Sequence, residues 1–308
     1  MYHYVRPWDS NYSGLKSLHI DDFRKQLDYF EDKYGFVDKD DFYAAIHEKR
    51  DAKGIVLTFD DGLKCHYRYV FQELAQRGLW GIFYVSTGPL ANKQMLDVHM
   101  AHVLLAKFPS KRVYKVFSEI IDEGDIDVRH KKAFESLTYR SQQNDDFTLL
   151  IKRTINYFLK YSAKQNVLSK TFDAFGLNEE DILRDFYLSE EEIKEMNDAG
   201  MIIGSHTINH PVMSRLSRKE QDEEIVGSKQ FLERMIKPNS LDTFCFPYGG
   251  KHSFNEDTVS LLNENQFVFS FSVEPRDIES KDLHFSPNSL PRYDCNQFPF
   301  GQVRDLDD

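Results

Sequence analysis

A short apolar run followed by a stretch of helical spacing recurs along this chain, and that recurrence limits the folds open to it. Ile55-Val56-Leu57-Thr58-Phe59 is rich in β-branched residues, and Asp60-Asp61-Gly62 ends it with turn chemistry. A helix is expected next, with Val70, Phe71 and Leu74 on one face and Gly78 as its stop, and Leu79 to Val85 reads as a second buried strand. The unit returns later. Ser189 and Glu192 have capping-box spacing before a helix stopped by Gly200, and Met201-Ile202-Ile203 follows as a strand. Ser217 and Glu220 open another helix, with Ile225, Leu232 and Ile236 on one stripe, ahead of a strand at Thr243 to Phe246. Asn255 to Asn265 and Phe267 to Val273 form one more helix–strand pair. Near the start, Ile20, Phe23, Leu27 and Phe30 also recur at helical spacing. Such alternation predicts an α/β fold with a mostly parallel sheet, open or closed into a barrel.

Residues 89–186 break the rhythm. They carry helical patterns, such as Leu149, Ile151, Ile155 and Phe158-Leu159, but few convincing strands, and a polar passage at Gln142-Gln143-Asn144-Asp145-Asp146. The segment reads as a helical insertion or cap, with an independent helical domain as the other reading. The core would then be 1–88 and 187–308, one domain carrying a large insertion within its 308 residues.

Composition narrows the function classes. With 41% hydrophobic and 14% aromatic residues, the sequence is too apolar to stay disordered. The 39 basic and 50 acidic residues give a net charge of −11, which argues against a phosphate-tracking nucleic-acid binder. No apolar run approaches the roughly 20 residues that span a bilayer. The first residues lack a basic stretch followed by an apolar one, so no secretory signal is read and a cytoplasmic location is expected. Cys65, Cys245 and Cys295 are widely spaced and suggest neither a disulfide framework nor a cysteine zinc site. The closing Asp305-Leu306-Asp307-Asp308 reads as a solvated tail.

Three strand ends carry chemistry. In Thr58-Phe59-Asp60-Asp61-Gly62 two adjacent carboxylates are costly unless a cation or hydrogen bonds compensate them. One such acid suits a metal and the other a proton acceptor, although an Asp-Gly turn alone would look the same. In Gly204-Ser205-His206-Thr207-Ile208-Asn209-His210-Pro211 two histidines four apart would face one metal if the backbone makes about one turn, though lone His pairs are often incidental. In Phe244-Cys245-Phe246-Pro247-Tyr248-Gly249-Gly250 the glycines let backbone N–H groups approach a ligand, or simply make a loop exit. All three lie just past the carboxyl ends of predicted strands, the face where catalytic groups gather in parallel α/β folds. One Asp and two His make a metal-binding set with open positions, beside which the second Asp would sit, an arrangement suited to metal-assisted hydrolysis.

Taken together, Thr-Phe-Asp-Asp-Gly, His-Thr-x-x-His-Pro and Phe-Pro-Tyr-Gly resemble, in the same order, the first three motifs of the NodB-homology polysaccharide deacetylases, carbohydrate esterase family four. The resemblance covers roughly 1–88 and 187–300. It implies a distorted (β/α) barrel of about seven strands and metal-dependent removal of acetyl groups, mostly from amino sugars. Carried over, Asp60 matches the general base, and Asp61, His206 and His210 match the metal ligands. Thr207 matches the hydroxyl residue that props the His loop, and Pro247-Tyr248 brings the backbone N–H that binds the oxyanion. The implied cofactor is one divalent metal, Zn2+ first, with Co2+, Ni2+ or Fe2+ also compatible with the set. Three departures stand out. The family's third motif has an Arg two residues before its Pro where this chain has Cys245, and Arg292 in Leu290-Pro291-Arg292-Tyr293 is the candidate to orient the base instead. The late Leu-x-His motif that supplies the acid is not evident. Members opening with a Tyr-His strand look circularly permuted, which makes His3 the candidate acid, His284 the runner-up, and a packing role for His3 the other reading. The wide gap between the first two motifs is what the insertion explains.

The expected substrate is an acetamido sugar, a cytoplasmic precursor or intermediate of surface polysaccharide. Hydrolysis of a non-sugar amide or cyclic imide, and a catalytically silent carbohydrate-binding member of the fold, are the alternatives. Nothing in the sequence sets the oligomeric state.

Overall fold

The computed structural model of the protein describes residues 1–127, 144–236 and 241–304. The acidic end at 305–308 and Gln142-Gln143 lie outside the described residues. Two strands, β1 (Val5–Arg6) and β2 (Leu18–His19), form a small parallel pair. The apolar runs of the repeating unit build the main sheet: β3 (Thr58–Phe59), β4 (Ile82–Val85), β5 (Ile202–Ser205), β6 (Thr243–Cys245) and β7 (Phe269–Phe271). They lie in the order β3-β4-β5-β6-β7, all parallel, with Phe83 opposite Ile203 and Cys245 opposite Phe271.

The sheet does not end at its outer strands. Tyr2 bridges Phe59 outside β3, and Leu290 bridges Phe271 outside β7, both in parallel. Those two segments then meet: the Met1 nitrogen donates to the Tyr293 carbonyl (2.7 Å) and the Cys295 N–H donates to the Met1 carbonyl (3.1 Å). The sheet therefore curls onto itself as a distorted (β/α) barrel, which removes open edges. Curling also shortens the ladders. The run expected as a strand from Ile55 keeps only Thr58–Phe59, because Ile55 turns aside to bridge Phe36.

Helices cover the outside. Among the described residues, the α-helices of five residues or more are α1 (Ile20–Lys33), α2 (Lys39–Glu48), α3 (Gln72–Gln76, continuing a π-helical turn at His66–Phe71), α4 (Asp97–Lys107), α5 (Ser110–Ile120), α6 (Asp146–Arg153), α7 (Tyr161–Ala174), α8 (Glu179–Phe186), α9 (Glu190–Asp198), α10 (Arg218–Glu233), α11 (Glu256–Glu264) and α12 (Ser280–Phe285). The capping boxes read at Ser189/Glu192 and Ser217/Glu220 both form. Strand alternation divides the core. Phe59, Phe83, Ile203 and Phe244 pack outward against α1, α9, α10 and α11, while Ile82, Tyr84, Cys245 and Phe271 fill the barrel. Between β4 and β5 the described elements are helices, joined by loops and one antiparallel bridge of Ile126 with Leu159, and α4, α5, α7 and α8 share a second cluster built on Met100, Leu104, Val113, Phe117, Leu168 and Phe186. No helix among the described residues is long and apolar enough to cross a membrane.

Candidate active site

The two aspartates after β3 diverge because the chain turns sharply between them. The Asp60 N–H donates to the Tyr2 carbonyl (2.9 Å) and so still belongs to the sheet, whereas Asp61 has φ +80° and Gly62 φ +69°. A side chain at Gly62 would also press on Val85, so this turn calls for glycine. Asp60 thus faces the barrel interior and Asp61 faces the histidine loop.

Inside the barrel, Arg292 grips Asp60 with both terminal nitrogens, Nη1 to Oδ1 at 2.9 Å and Nη2 to Oδ2 at 2.5 Å. Nη1 also donates to Thr58 Oγ1 (2.9 Å), and Nη2 lies 2.8 Å from Cys245 Sγ. Both partners of the pair are buried. Burial alone would raise the Asp60 carboxyl, but the charge and hydrogen bonds of Arg292 overcome it and hold the group well below the usual carboxylate range. Burial likewise pushes the Cys245 thiol up, so it stays protonated. Asp60, His206 and Cys245 lie close enough together to suggest a ligand set, but a thiol and an Arg-paired carboxylate leave that set without two of its donors.

Asp61 makes the better set. Its Oδ1 lies 3.3 Å from His206 Nε2 and 3.4 Å from His210 Nε2. The His206 ring is fixed by its Nδ1–H, which donates to the Cys245 carbonyl (2.7 Å), and this turns Nε2 toward the carboxylate. Burial lowers His210 to about 3, which keeps that imidazole neutral. Asp61 Oδ1 is buried with no hydrogen-bond partner among the described residues. A buried carboxylate oxygen that two imidazole nitrogens face without hydrogen-bonding it is unfavourable alone. Their spacing is close to the about 3.4 Å between donors that surround one tetrahedral ion at about 2.0–2.1 Å. The residues fit a divalent metal.

The loop carrying both histidines is held from several sides. Thr207 (φ +66°) and His210 (φ +55°) are left-handed, and Thr207 Oγ1 accepts the His210 N–H (3.0 Å). The buried Glu224 carboxylate on α10 accepts the N–H groups of Ile208 (2.8 Å) and Asn209 (2.9 Å), and also the Tyr161 hydroxyl (2.6 Å) from α7. After β6, Pro247 is buried and Tyr248 takes φ +63°. The Tyr248 ring meets His210 edge-on at 4.8 Å, and its hydroxyl donates to Asn156 Oδ1 (2.8 Å). Tyr157, the next residue, bonds His252 through its hydroxyl (2.9 Å).

His3 follows the Tyr2 bridge and is half-buried. The residue before it, Tyr2, accepts the Asp60 N–H through its carbonyl, so the chain carries His3 past the strand end that bears Asp60. Burial lowers His66 to about 4, so that ring is neutral, and its Nε2–H donates to the His3 carbonyl (2.7 Å). His284 is exposed on α12 with its ring against Phe285, and none of its described contacts reaches the site.

Four neighbours of the site carried no signal in the sequence. Glu224 and Asn156 hold the His loop and Tyr248, and His99 and Tyr187 stand behind Asp61: His99 Nε2 is 3.1 Å from Asp61 Oδ2, and His99 Nδ1 is 2.7 Å from the Tyr187 hydroxyl. None belongs to a local motif, and three of them come from the 89–186 stretch or its border, so only the fold brings them in.

Comparisons with known proteins agree with this architecture. A family model described as polysaccharide deacetylase matches residues 47–270. The putative polysaccharide deacetylase YxkH of Bacillus subtilis is 29% identical over 89 residues, which cover 29% of this chain and 30% of the relative, so the match spans under a third of that relative's length. Among solved structures, the Streptococcus pyogenes deacetylase PplD in complex with acetate superposes with a TM-score of 0.56 at 16% identity, covering 95% of this chain and 88% of that one. The de-N-acetylase from Aggregatibacter actinomycetemcomitans gives a TM-score of 0.52 at 13% identity, covering 95% of this chain and 92% of that one. At such identities the likeness speaks for the fold. The family model, which spans well over half of the chain, establishes the lineage: this protein belongs to the polysaccharide deacetylase family.

Proposed function

We propose that the protein is a metal-dependent deacetylase that removes the N-acetyl group from an acetamido sugar, a precursor or intermediate of surface polysaccharide. One observation carries this reading: a buried carboxylate locked to Arg292 adjoins a second whose unpartnered oxygen faces His206 and His210. Asp61, His206 and His210 would hold one divalent ion, with Zn2+ the first choice and Co2+, Ni2+ or Fe2+ also suited to the set. When bound, the ion supplies Lewis-acid polarisation and makes water acidic enough for a weak base to deprotonate.

The chain's own groups do the rest. Asp60 takes the proton of the attacking water, and Arg292 keeps that carboxylate charged and aimed. The Tyr248 N–H donates to the oxygen that gains charge as water adds to the amide carbonyl. His3 delivers a proton to the sugar nitrogen as the C–N bond breaks, leaving acetate and a free amine. Thr207 and Glu224 hold the His loop in register. The described residues of 89–186 act as a helical insertion on a single deacetylase domain. Asn156 and Tyr157 stand against Tyr248 and His252, a placement that favours a small or chain-end substrate over a long polymer.

The test is acetate release. Protein loaded with Zn2+, Co2+, Ni2+ or Fe2+ should release acetate from one of a set of free, nucleotide-linked, lipid-linked or oligomeric acetamido sugars. Chelation should stop the reaction and the ion restore it. Loaded protein that cleaves only non-sugar amides or cyclic imides, or nothing, overturns the proposal. The acid has its own check. His3→Ala should slow sugar deacetylation by about 10²–10⁴-fold yet spare hydrolysis of p-nitrophenyl acetate, whose leaving group needs no proton. Equal losses on both substrates would remove His3 as the acid.

A further inference from the structure

We infer that His99, on α4, is a positioning residue for the metal ligand Asp61: it fixes which carboxylate oxygen is offered to the ion. The inference rests on the metal-site reading above. His99 is completely buried, and its Nε2 lies 3.1 Å from Asp61 Oδ2, the oxygen turned away from His206 and His210. Its other nitrogen, Nδ1, lies 2.7 Å from the Tyr187 hydroxyl.

Which nitrogen carries the proton follows from the next bond. The Leu96 N–H donates to the Tyr187 oxygen (3.0 Å). With that lone pair engaged, Tyr187 spends its own O–H on His99 Nδ1, and burial holds the phenol in its protonated form. His99 Nδ1 is then the acceptor, so Nε2 carries the hydrogen and donates it to Asp61 Oδ2. The chain Leu96 N–H, Tyr187 O–H, His99 Nε2–H ends on one oxygen of Asp61 and leaves Oδ1 alone for the ion, the oxygen without a hydrogen-bond partner. Outer-shell donors of this kind hold a ligating carboxylate in one orientation, and their loss typically costs about 10–100-fold in metal affinity.

The arrangement also ties the site to the segment between β4 and β5. His99 and Leu96 come from α4 and the residue before it, and Tyr187 follows α8 and bridges Leu63, just past Gly62. The support for the ligand therefore reaches Asp61 from outside the strand-end motifs.

The experiment is a competition titration of Co2+ against a chromophoric chelator, with the cobalt absorption spectrum recorded for each protein. Wild type should bind one ion. His99→Ala should bind about 10–100-fold more weakly, with an altered cobalt spectrum because Asp61 loses its fixed orientation. His99→Gln, whose amide keeps a donor near Oδ2, should recover part of the loss. Tyr187→Phe preserves packing and frees the His99 tautomer, so it should weaken binding while leaving Asp61 itself untouched, and it serves if His99→Ala fails to fold. Binding within twofold of wild type in folded His99→Ala or in Tyr187→Phe, with an unchanged spectrum, overturns the inference. So does a cobalt spectrum that reports His99 as a direct ligand. If wild type itself binds no ion, it is the metal-site reading that falls.

Discussion

Replacing Asp60 with asparagine should cut kcat by about 10²–10⁴-fold while metal content stays at the wild-type level. The two carboxylates divide their work by orientation: Asp60 is held by Arg292, and Asp61 faces the imidazoles. Asparagine keeps the shape of Asp60 and can still accept from one Arg292 nitrogen. Its amide NH2 must then face the second one, donor against donor. The variant should therefore also lose stability, because Arg292 is left buried without a counter-charge. Activity must be measured well below the variant's melting temperature, with metal counted by mass spectrometry on the same sample. Turnover within a fewfold of wild type in a metal-loaded, folded sample would remove Asp60 as the base. Lost activity with lost metal would move its role to the ligand set.

Much of this site could be read from the sequence, and physical reasons separate what could from what could not. Asp60-Asp61 and His206-x-x-x-His210 sit next to short strands, so local spacing already places them on one face of a parallel fold, and the structure brings these four together. Helix starts were legible for the same reason: the boxes at Ser189 and Ser217 are satisfied within four residues. Strand lengths were not, because a ladder depends on a distant partner. Ile55 pairs with Phe36 and not with the sheet, and Phe59 gains as a neighbour Tyr2, which lies well before it in sequence. The support of the candidate ligands was silent too. His99, Tyr187, Glu224 and Asn156 are ordinary residues in ordinary helical or connecting sequence, and only the tertiary fold aims them at the site.

Substituting Arg292 by leucine should destabilise the protein by about 3–5 kcal/mol, the usual cost of stripping one partner from a buried ion pair. The guanidinium makes two bonds to Asp60 and one to Thr58, and all three acceptors are buried. Arg292→Lys should recover little, since an ammonium cannot span both carboxylate oxygens. The sign of the pH effect follows from the direction of the Asp60 shift. In wild type its folded pKa lies below the unfolded value of about 3.9, so the pair contributes stability above that pH and loses it as pH falls through the folded pKa. Without Arg292, burial is opposed only by the smaller charge effects of His206 and His3, and the carboxyl should rise above its unfolded value. Ionisation of Asp60 then costs stability as pH rises, and the acid limb of the activity profile moves to higher pH. Denaturant titrations of Arg292→Leu, Asp60→Leu and the double variant measure the coupling. The double variant should be more stable than either single one, because an apolar pair leaves no uncompensated charge inside the barrel. Single variants that each cost less than about 1 kcal/mol, the range of exposed pairs, would mean that Arg292 does not hold Asp60 in solution as it does in this fold.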